Sequence, residues 1–315
     1  MGQKTHPKGF RLVTTQDHLS KWYSNKLNYP SLIEEDFLIR SKVDELFSEF
    51  LSISKVEIDR INQDVDQKEY VNITKNDTII FCVANIGILN MLENFIISCS
   101  NNNIDIVLFT LDKEITTIIS KKYKIDIIQY GDEFCSILKN QFNVTVDLHN
   151  YIQYNTHNFR YISFARFFII NKILKRNINI IYSDIDIVVK KNFTEEIKNM
   201  ATMHECIFQF NGENCITGFF AMKPTQKLIS FLEVNNLKRL NIFKYIHDQE
   251  FWNNVAYDNK LFNIYFLNRD HYPNGNHYYK HHKNIKDECR LIHFNCLIGE
   301  INKINKMKEL NEWFM

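Results

Sequence analysis

From Thr78 onward the sequence alternates between short apolar runs and amphipathic stretches, and this alternation constrains the fold more than any other feature. Strand-like runs are expected over 78–84, 105–110, 125–130, 179–183, 206–210, 216–222 and 264–267. Helical spacing is expected over 88–100, 113–122, 159–175, 226–235, 248–256 and from residue 300 toward 310. Strands and helices taken in turn predict an α/β domain. Its sheet should be mostly parallel, with helices on both faces.

Composition sets the outer bounds. The 315 residues contain Gly 8 and Pro 4, where average usage near 12% would give roughly 38 of the two together. Collagen-like, Gly/Ser-linker and Pro-rich disordered readings are excluded, and each Gly or Pro that remains is informative. Lys+Arg 38 against Asp+Glu 37 leaves a net charge of +1, which gives no overall attraction to nucleic acid or an anionic membrane. The Cys 7 are scattered without a C-x-x-C pair, so neither a zinc ribbon nor a disulfide framework is expected. The opening residues lack the apolar core of a signal peptide, and no run approaches a membrane span. A soluble, cytoplasmic protein is the expectation.

Residues 1–75 have a different texture. Lys4, Lys8, Arg11, Lys21 and Lys26 face one acid, Asp17, in the first stretch. Leu32, Ile33, Phe37, Ile39, Val43, Leu46 and Phe47 then fall at helical spacing, as if to form one apolar face. A strand-like run over 54–60 and a polar turn or linker over 62–69 follow. The opening Met1-Gly2-Gln3-Lys4-Thr5-His6-Pro7, with Gly9-Phe10-Arg11-Leu12, Ser20-Lys21-Trp22-Tyr23 and Ile39-Arg40, resembles the start of the KH-domain protein of the small ribosomal subunit, universal small-subunit protein three. That resemblance covers about residues 1–72. It implies a small α+β, partial KH-like segment whose basic arm and aromatics lie against RNA. Two departures stand out: Val13 replaces the family's usual glycine, and no G-x-x-G loop occurs anywhere. A fused or captured fragment without KH-type RNA clamping is one reading, and residual RNA or ribosome contact the other. The expected division is 1–75 for this segment and 76–315 for the α/β domain.

The sharpest chemistry lies at Ile180-Ile181-Tyr182-Ser183-Asp184-Ile185-Asp186-Ile187-Val188-Val189. Carboxylates set between two apolar runs are costly to desolvate unless a cation or donors compensate them. Two residues apart at the carboxyl end of a strand, both can face one hard cation, at the end where open α/β sheets bind ligands. A D-x-D alone is a weak signal, since any acidic turn can produce one.

Further segments make it specific. Val83-Ala84-Asn85, Ser163 with Arg166, Thr217-Gly218-Phe219, Asp248-Gln249 with Asn253, Pro273-Asn274-Gly275, and His293-Phe294-Asn295 with Gly299 and Lys303 occur in the order found in GT-A nucleotide-diphospho-sugar transferases. The chain over about 77–315 resembles the family-seventy-seven α-galactosyl and xylosyl transferases, with glycogenin-like kinship. Ile216 departs from the pattern, standing where that family usually has Asn. The resemblance implies a Rossmann-like GT-A fold and transfer of a hexose or pentose from UDP-galactose or UDP-xylose to a glycan or protein acceptor, with retention. It casts Asp184, Asp186 and His293 as ligands of Mn²⁺ or Mg²⁺. Val83, Ala84, Asn85, Arg166, Asp184, Gly218, Gly299 and Lys303 would bind the nucleotide-sugar, while Asp248 and Gln249 would serve catalysis.

Several plainer readings compete. Asp184 and Asp186 can be solvated turn acids, His293 a core histidine, Asp248 with Gln249 a helix N-cap, and Arg166 one half of a surface ion pair. His271, His277, His281 and His282 are dense but lack carboxylate or Cys company, so a surface loop is expected there. Two rival functions stay open: a ribosome-associated structural protein with an inactive transferase-like domain, and a nucleotide-sugar hydrolase. The enzyme reading requires Asp184, Asp186 and His293 to converge on one point.

Overall fold

The computed structural model describes residues 20–21, 29–47, 56, 58–59, 77–148, 152 and 156–315. Chain contacts divide it into two units, Met1–Lys75 and Asn76–Met315. Among the described residues no helix is long and apolar enough to cross a membrane.

In the first unit, strands β1 (Ser20–Lys21) and β2 (Ile58–Asp59) pair in parallel, and helix α1 spans Tyr29–Phe47. Of the expected apolar face of α1, Leu32 and Val43 are half-buried and Ile39 is exposed. Ile33 and Phe37 are exposed, while Asp36 is buried. The stripes 32-36-40 and 33-37 adjoin on a helix, and apolar residues straddle both, so spacing alone could not choose between them. The expected turn or linker over 62–69 lies outside the described residues.

The second unit is built on a seven-stranded sheet. Its strands are β3 (Thr78–Ala84), β4 (Val107–Thr110), β5 (Asp126–Gln129), β6 (Asn179–Ser183), β8 (Cys206–Phe210), β9 (Cys215–Met222) and β10 (Ile264–Phe266), in the order β10-β8-β9-β6-β3-β4-β5. Only β9 runs antiparallel to its neighbours, β6 and β8; β10–β8, β6–β3, β3–β4 and β4–β5 are parallel pairs. This is the expected α/β architecture with one strand reversed. A separate antiparallel ribbon joins β7 (Ile187–Val189) to β11 (Leu291–His293), with His293 opposite Ile187.

Local chemistry explains the helices that carry the sheet. Helix α3 (Lys113–Lys122) starts where the Asp112 carboxylate accepts from Ile115 N at 2.9 Å, and Lys121 and Lys122 end it, which suits the helix dipole. The stretch expected as one helix over 159–175 is two, α5 (His157–Ser163) and α6 (Ala165–Leu174), broken at Phe164. The stretch 226–235 likewise divides into α8 (Gln226–Phe231) and α9 (Val234–Arg239). Helices α2 (Leu89–Asn101), α4 (Gly131–Ile137) and α7 (Thr194–Met203) complete this part of the fold, the last two unanticipated.

Helix α10 (Asp248–Phe251) continues as a wider π turn over Trp252–Tyr257. Helix α11 (Gly275–Ile285) occupies the place expected to be a loop. Asn274 caps it by accepting from His277 N at 2.9 Å. The main core lines the sheet. A second cluster, including Val188, Tyr278, Ile292, Phe294 and Met307, packs the ribbon against α11 and α12 (Glu300–Glu309).

Candidate active site

The two carboxylates occupy the link between β6 and β7. Asp184 N donates to Gly218 O at 2.7 Å, fixing the end of β6 against β9, and Phe294 N donates to Asp186 O at 2.8 Å, fixing the second carboxylate beside β11. Strand register therefore delivers His293 to the pair. One ligand atom from each of Asp184, Asp186 and His293 lies within 4.8 Å of the others. The resemblance groups these three residues, and the ribbon pairing of Ile187 with His293 is what brings them together.

Asp186 is buried and so is no solvated turn acid; His293 is buried too, as a core histidine would also be. His293 Nε2 sits 3.3 Å from Asp186 Oδ1, and Lys303 Nζ sits 2.6 Å from Asp186 Oδ2. Burial by itself would raise the Asp186 pKa, but Lys303 and His293 overcome it and hold the carboxyl below its ordinary range. Asp184 Oδ1 accepts from Tyr182 OH at 2.6 Å and lies 3.2 Å from Arg166 Nη1.

Arg166 is no surface ion pair. Its guanidinium lies over the Tyr182 ring at 4.4 Å, donates to Thr217 O at 2.6 Å and reaches Asp248 Oδ2 at 3.5 Å. Burial works against its charge, and Asp184 with Asp248 more than restores it, raising its pKa. Asp248 is buried, and Asp248 Oδ2 lacks a hydrogen-bond partner. Burial, with repulsion from Asp184, raises its pKa despite Arg166. The α10 N-cap is His247, which accepts from Glu250 N, so the capping alternative for Asp248 and Gln249 does not apply. Gln249 Oε1 accepts from Thr217 N at 3.2 Å, beside Gly218.

Gly218 is required by close approach. A Cβ built there would lie 2.8 Å from both Asp184 Oδ2 and His293 Nε2, closer than real Cβ atoms come. The bare backbone leaves room for the His293 ring and the Asp184 carboxylate to come together over β9. Three carboxylates (Asp184, Asp186, Asp248) face two cations (Arg166, Lys303), a formal excess of one negative charge before any ion binds. Two hard oxygens with an imidazole nitrogen form a donor set suited to a divalent cation. The residues present fit such an ion.

Not every expected residue joins this cluster. Val83 and Ala84 end β3 beside β6, while Asn85 is buried with its side-chain amide donating to Leu148 O at 3.0 Å. Gly299 precedes α12 at φ +89°, a conformation that favours glycine, with open space where a Cβ would be. The histidine cluster also differs from expectation. His277, His281 and His282 lie on α11, and His277 Nε2 pairs with Asp270 Oδ1 at 2.6 Å. Gln209, which sequence reasoning passed over, is wholly buried beside His293. A lone amide within the apolar run Cys206–Phe210 was the available signal, because a buried polar group must find partners.

The sequence profile of the nucleotide-diphospho-sugar transferases matches residues 104–307, most of the second unit and more than half of the chain. The chain belongs to this family. The sheet, most of which the profile spans, carries its one reversed strand, β9, beside the strand that leads into the D-x-D link.

Among curated proteins, this transferase is 43% identical over 94 residues to Small ribosomal subunit protein uS3c of Pyropia yezoensis, covering 30% of this chain and 39% of that protein. It is 52% identical over 60 residues to the uS3c of Gracilaria tenuistipitata var. liui, covering 19% and 27%. The chain thus spans well under half the length of these ribosomal relatives. Their likeness agrees with the ribosomal character of the N-terminal sequence.

Among solved structures, mouse xyloside xylosyltransferase 1 in its apo form is similar at 11% identity and TM-score 0.44, over 70% of this chain and 98% of that one. The glycosyltransferase GlyE of Streptococcus pneumoniae TIGR4 is similar at 15% identity and TM-score 0.43, over 69% and 54%. Likeness at that level carries no information on donor or mechanism.

Proposed function

We propose that this transferase moves a hexose or pentose from UDP-galactose or UDP-xylose to an acceptor hydroxyl on a glycan or protein, with retention at the anomeric carbon. The observation that carries this reading is the convergence of Asp184, Asp186 and His293, whose ligand atoms lie within 4.8 Å of one another where Gly218 lets them pack against β9. A Mn²⁺ or Mg²⁺ held by those three would supply Lewis-acid stabilisation of the diphosphate leaving group.

The protein's own residues do the rest. The Lys303 ammonium, now on Asp186, is a point charge for the β-phosphate. Arg166, tied to Asp184, Asp248 and Thr217 O, holds those two carboxylates in place and puts a fixed positive charge beside the nucleotide-sugar. Asp248, its Oδ2 held only by the 3.5 Å ion pair with Arg166, and Gln249, anchored to the strand that carries Gly218, orient donor and acceptor. Val83 and Ala84 at the end of β3, with Asn85 just after it, take the nucleotide, and Gly299 sets the start of the helix that carries Lys303. In the reaction the anomeric carbon exchanges its bond to the β-phosphate oxygen for one to the acceptor oxygen on the same face. The acceptor proton passes to the departing phosphate.

A panel of UDP-sugars with Mn²⁺, scored for UDP release, tests this reading. Turnover of at least one donor by the wild type, with Asp186→Ala slower by roughly a hundredfold or more, supports it. Equal rates for the two proteins, or no turnover with any donor, would refute it. The likeness to a small-subunit ribosomal protein favours a second, independent reading, residual RNA contact through the basic residues of the N-terminal sequence. Binding to a small-subunit rRNA fragment that weakens steeply with salt would support it.

A further inference from the structure

Gln209 lies on β8, outside the residues usually counted in such a site, and is fully buried. Its amide nitrogen donates to Tyr272 O at 3.1 Å and to Pro273 O at 3.0 Å. Both partners are carbonyls that only accept, so both amide hydrogens are committed to them and the orientation of the side chain is fixed. Its Oε1 therefore faces His293 Nδ1, at 2.6 Å. An amide oxygen also only accepts, so the hydrogen of that bond belongs to Nδ1. In the neutral ring, Nε2 is then the atom with the free lone pair, and Nε2 is the atom turned toward Asp186.

The support extends one layer further. The carbonyls that hold Gln209 belong to the turn before α11, and His293 N itself donates to Pro273 O at 3.2 Å. The β8–β9 pairing shifts register between Phe208 and Gln209, at the point where this side chain leaves the strand.

We propose that Gln209 is a positioning residue for metal binding: it fixes the tautomer and ring angle of His293 so that Nε2 is presented to the space shared with Asp184 and Asp186. This rests on the reading of His293 as a ligand. Partners of this kind behind a metal-bound imidazole typically change metal affinity 10- to 100-fold when removed.

Two measurements test it. The first uses the unmodified, metal-free protein with ¹⁵N-labelled histidine, recorded at rising pH until the ring signals stop changing. The His293 signals, assigned by their loss in His293→Gln, should show a protonated Nδ1 and an unprotonated Nε2. A protonated Nε2 would overturn the proposal without any variant of Gln209 having to fold. The second titrates Mn²⁺ into wild type, Asp186→Ala and Gln209→Met, the last nearly isosteric but unable to accept. With native secondary structure confirmed, Gln209→Met should bind Mn²⁺ roughly 10- to 100-fold more weakly and should lose the uniform Nδ1–H tautomer. Wild-type affinity in Gln209→Met, with Asp186→Ala impaired, would remove Gln209 from the account and leave the metal site standing. Failure of the wild type to bind Mn²⁺ would instead remove the site itself, and the proposal with it.

Discussion

Lys303 Nζ lies 2.6 Å from Asp186 Oδ2, so a carboxylate placed to hold a divalent cation is already paired with a monovalent one. The same ammonium is a candidate phosphate contact, and the two duties oppose each other until donor and ion arrive together. Replacing Lys303 with Met should therefore separate them. Mn²⁺ alone should bind Lys303→Met at least as tightly as the wild type, while UDP in the presence of Mn²⁺ binds roughly tenfold more weakly, as loss of one charged contact implies. Titrations followed by the Mn²⁺ paramagnetic signal, with and without UDP, measure both. Weaker binding of Mn²⁺ alone would argue against competition.

The pairing also sets an acid limb to stability. Burial would raise the Asp186 pKa, but Lys303 and His293 lower it below the ordinary value. A carboxylate depressed in the folded state contributes stability above its unfolded pKa of about 3.9, and that contribution fades as pH falls below it. Metal-free Asp186→Asn should be less stable than the wild type at pH 7 by about 2 kcal/mol, and the difference should shrink as pH drops below about 4. Urea unfolding at a series of pH values checks the sign; a gap that widens toward acid would contradict it.

Gly218 tests geometry. The Cβ of Gly218→Ala would press on Asp184 and His293, which can yield only by moving apart. The expected cost in stability is about 1–3 kcal/mol, as for other overpacked sites, together with a loss of Mn²⁺ binding of roughly tenfold or more. Calorimetric titration of the folded variant reads the second effect. Unaltered Mn²⁺ affinity would mean the ion does not depend on how Asp184 and His293 pack beside Gly218.

Asn253 anchors the segment that carries Asp248 and Gln249. Its side chain accepts from Cys215 N at 3.0 Å and donates to Cys215 O at 3.0 Å and to Gln249 O at 2.9 Å. Asn253→Leu leaves the buried Cys215 backbone groups without these partners, at about 1–3 kcal/mol for each orphaned group. A fall in the denaturant midpoint is expected, with turnover reduced even in the fraction that stays folded. Stability equal to the wild type would show the anchor to be dispensable.

Much of this was legible in the sequence, for identifiable reasons. The strands Thr78–Ala84, Asn179–Ser183 and Cys206–Phe210 are apolar runs with no competing helical spacing, and they were anticipated to the residue. Strands β7 and β11 are three residues each and exist through pairing with one another, a long-range event that local pattern cannot register. Helix α11 carries Tyr278 and Ile285 as its buried apolar contacts amid histidines and lysines, so its hydrophobic stripe is faint; Asn274 before Gly275 was its one overt start signal. The D-x-D and the closing histidine were visible as residue types. That Arg166 bridges Asp184 and Asp248 depends on packing across strands and left no local trace; for Gln209 the lone amide in an apolar run showed that it needs partners, not that His293 is one of them.

The central claim is that Asp184, Asp186 and His293 bind an ion that serves a nucleotide diphosphate. Titration of UDP into the wild type and Asp186→Ala, each with and without Mn²⁺, tests it most directly. UDP affinity in the wild type should rise roughly tenfold or more on adding Mn²⁺, a coupling of the size expected when two ligands share one site, and Asp186→Ala should show no such rise. UDP affinity that is indifferent to Mn²⁺ in the wild type, or enhanced equally in Asp186→Ala, would contradict the account.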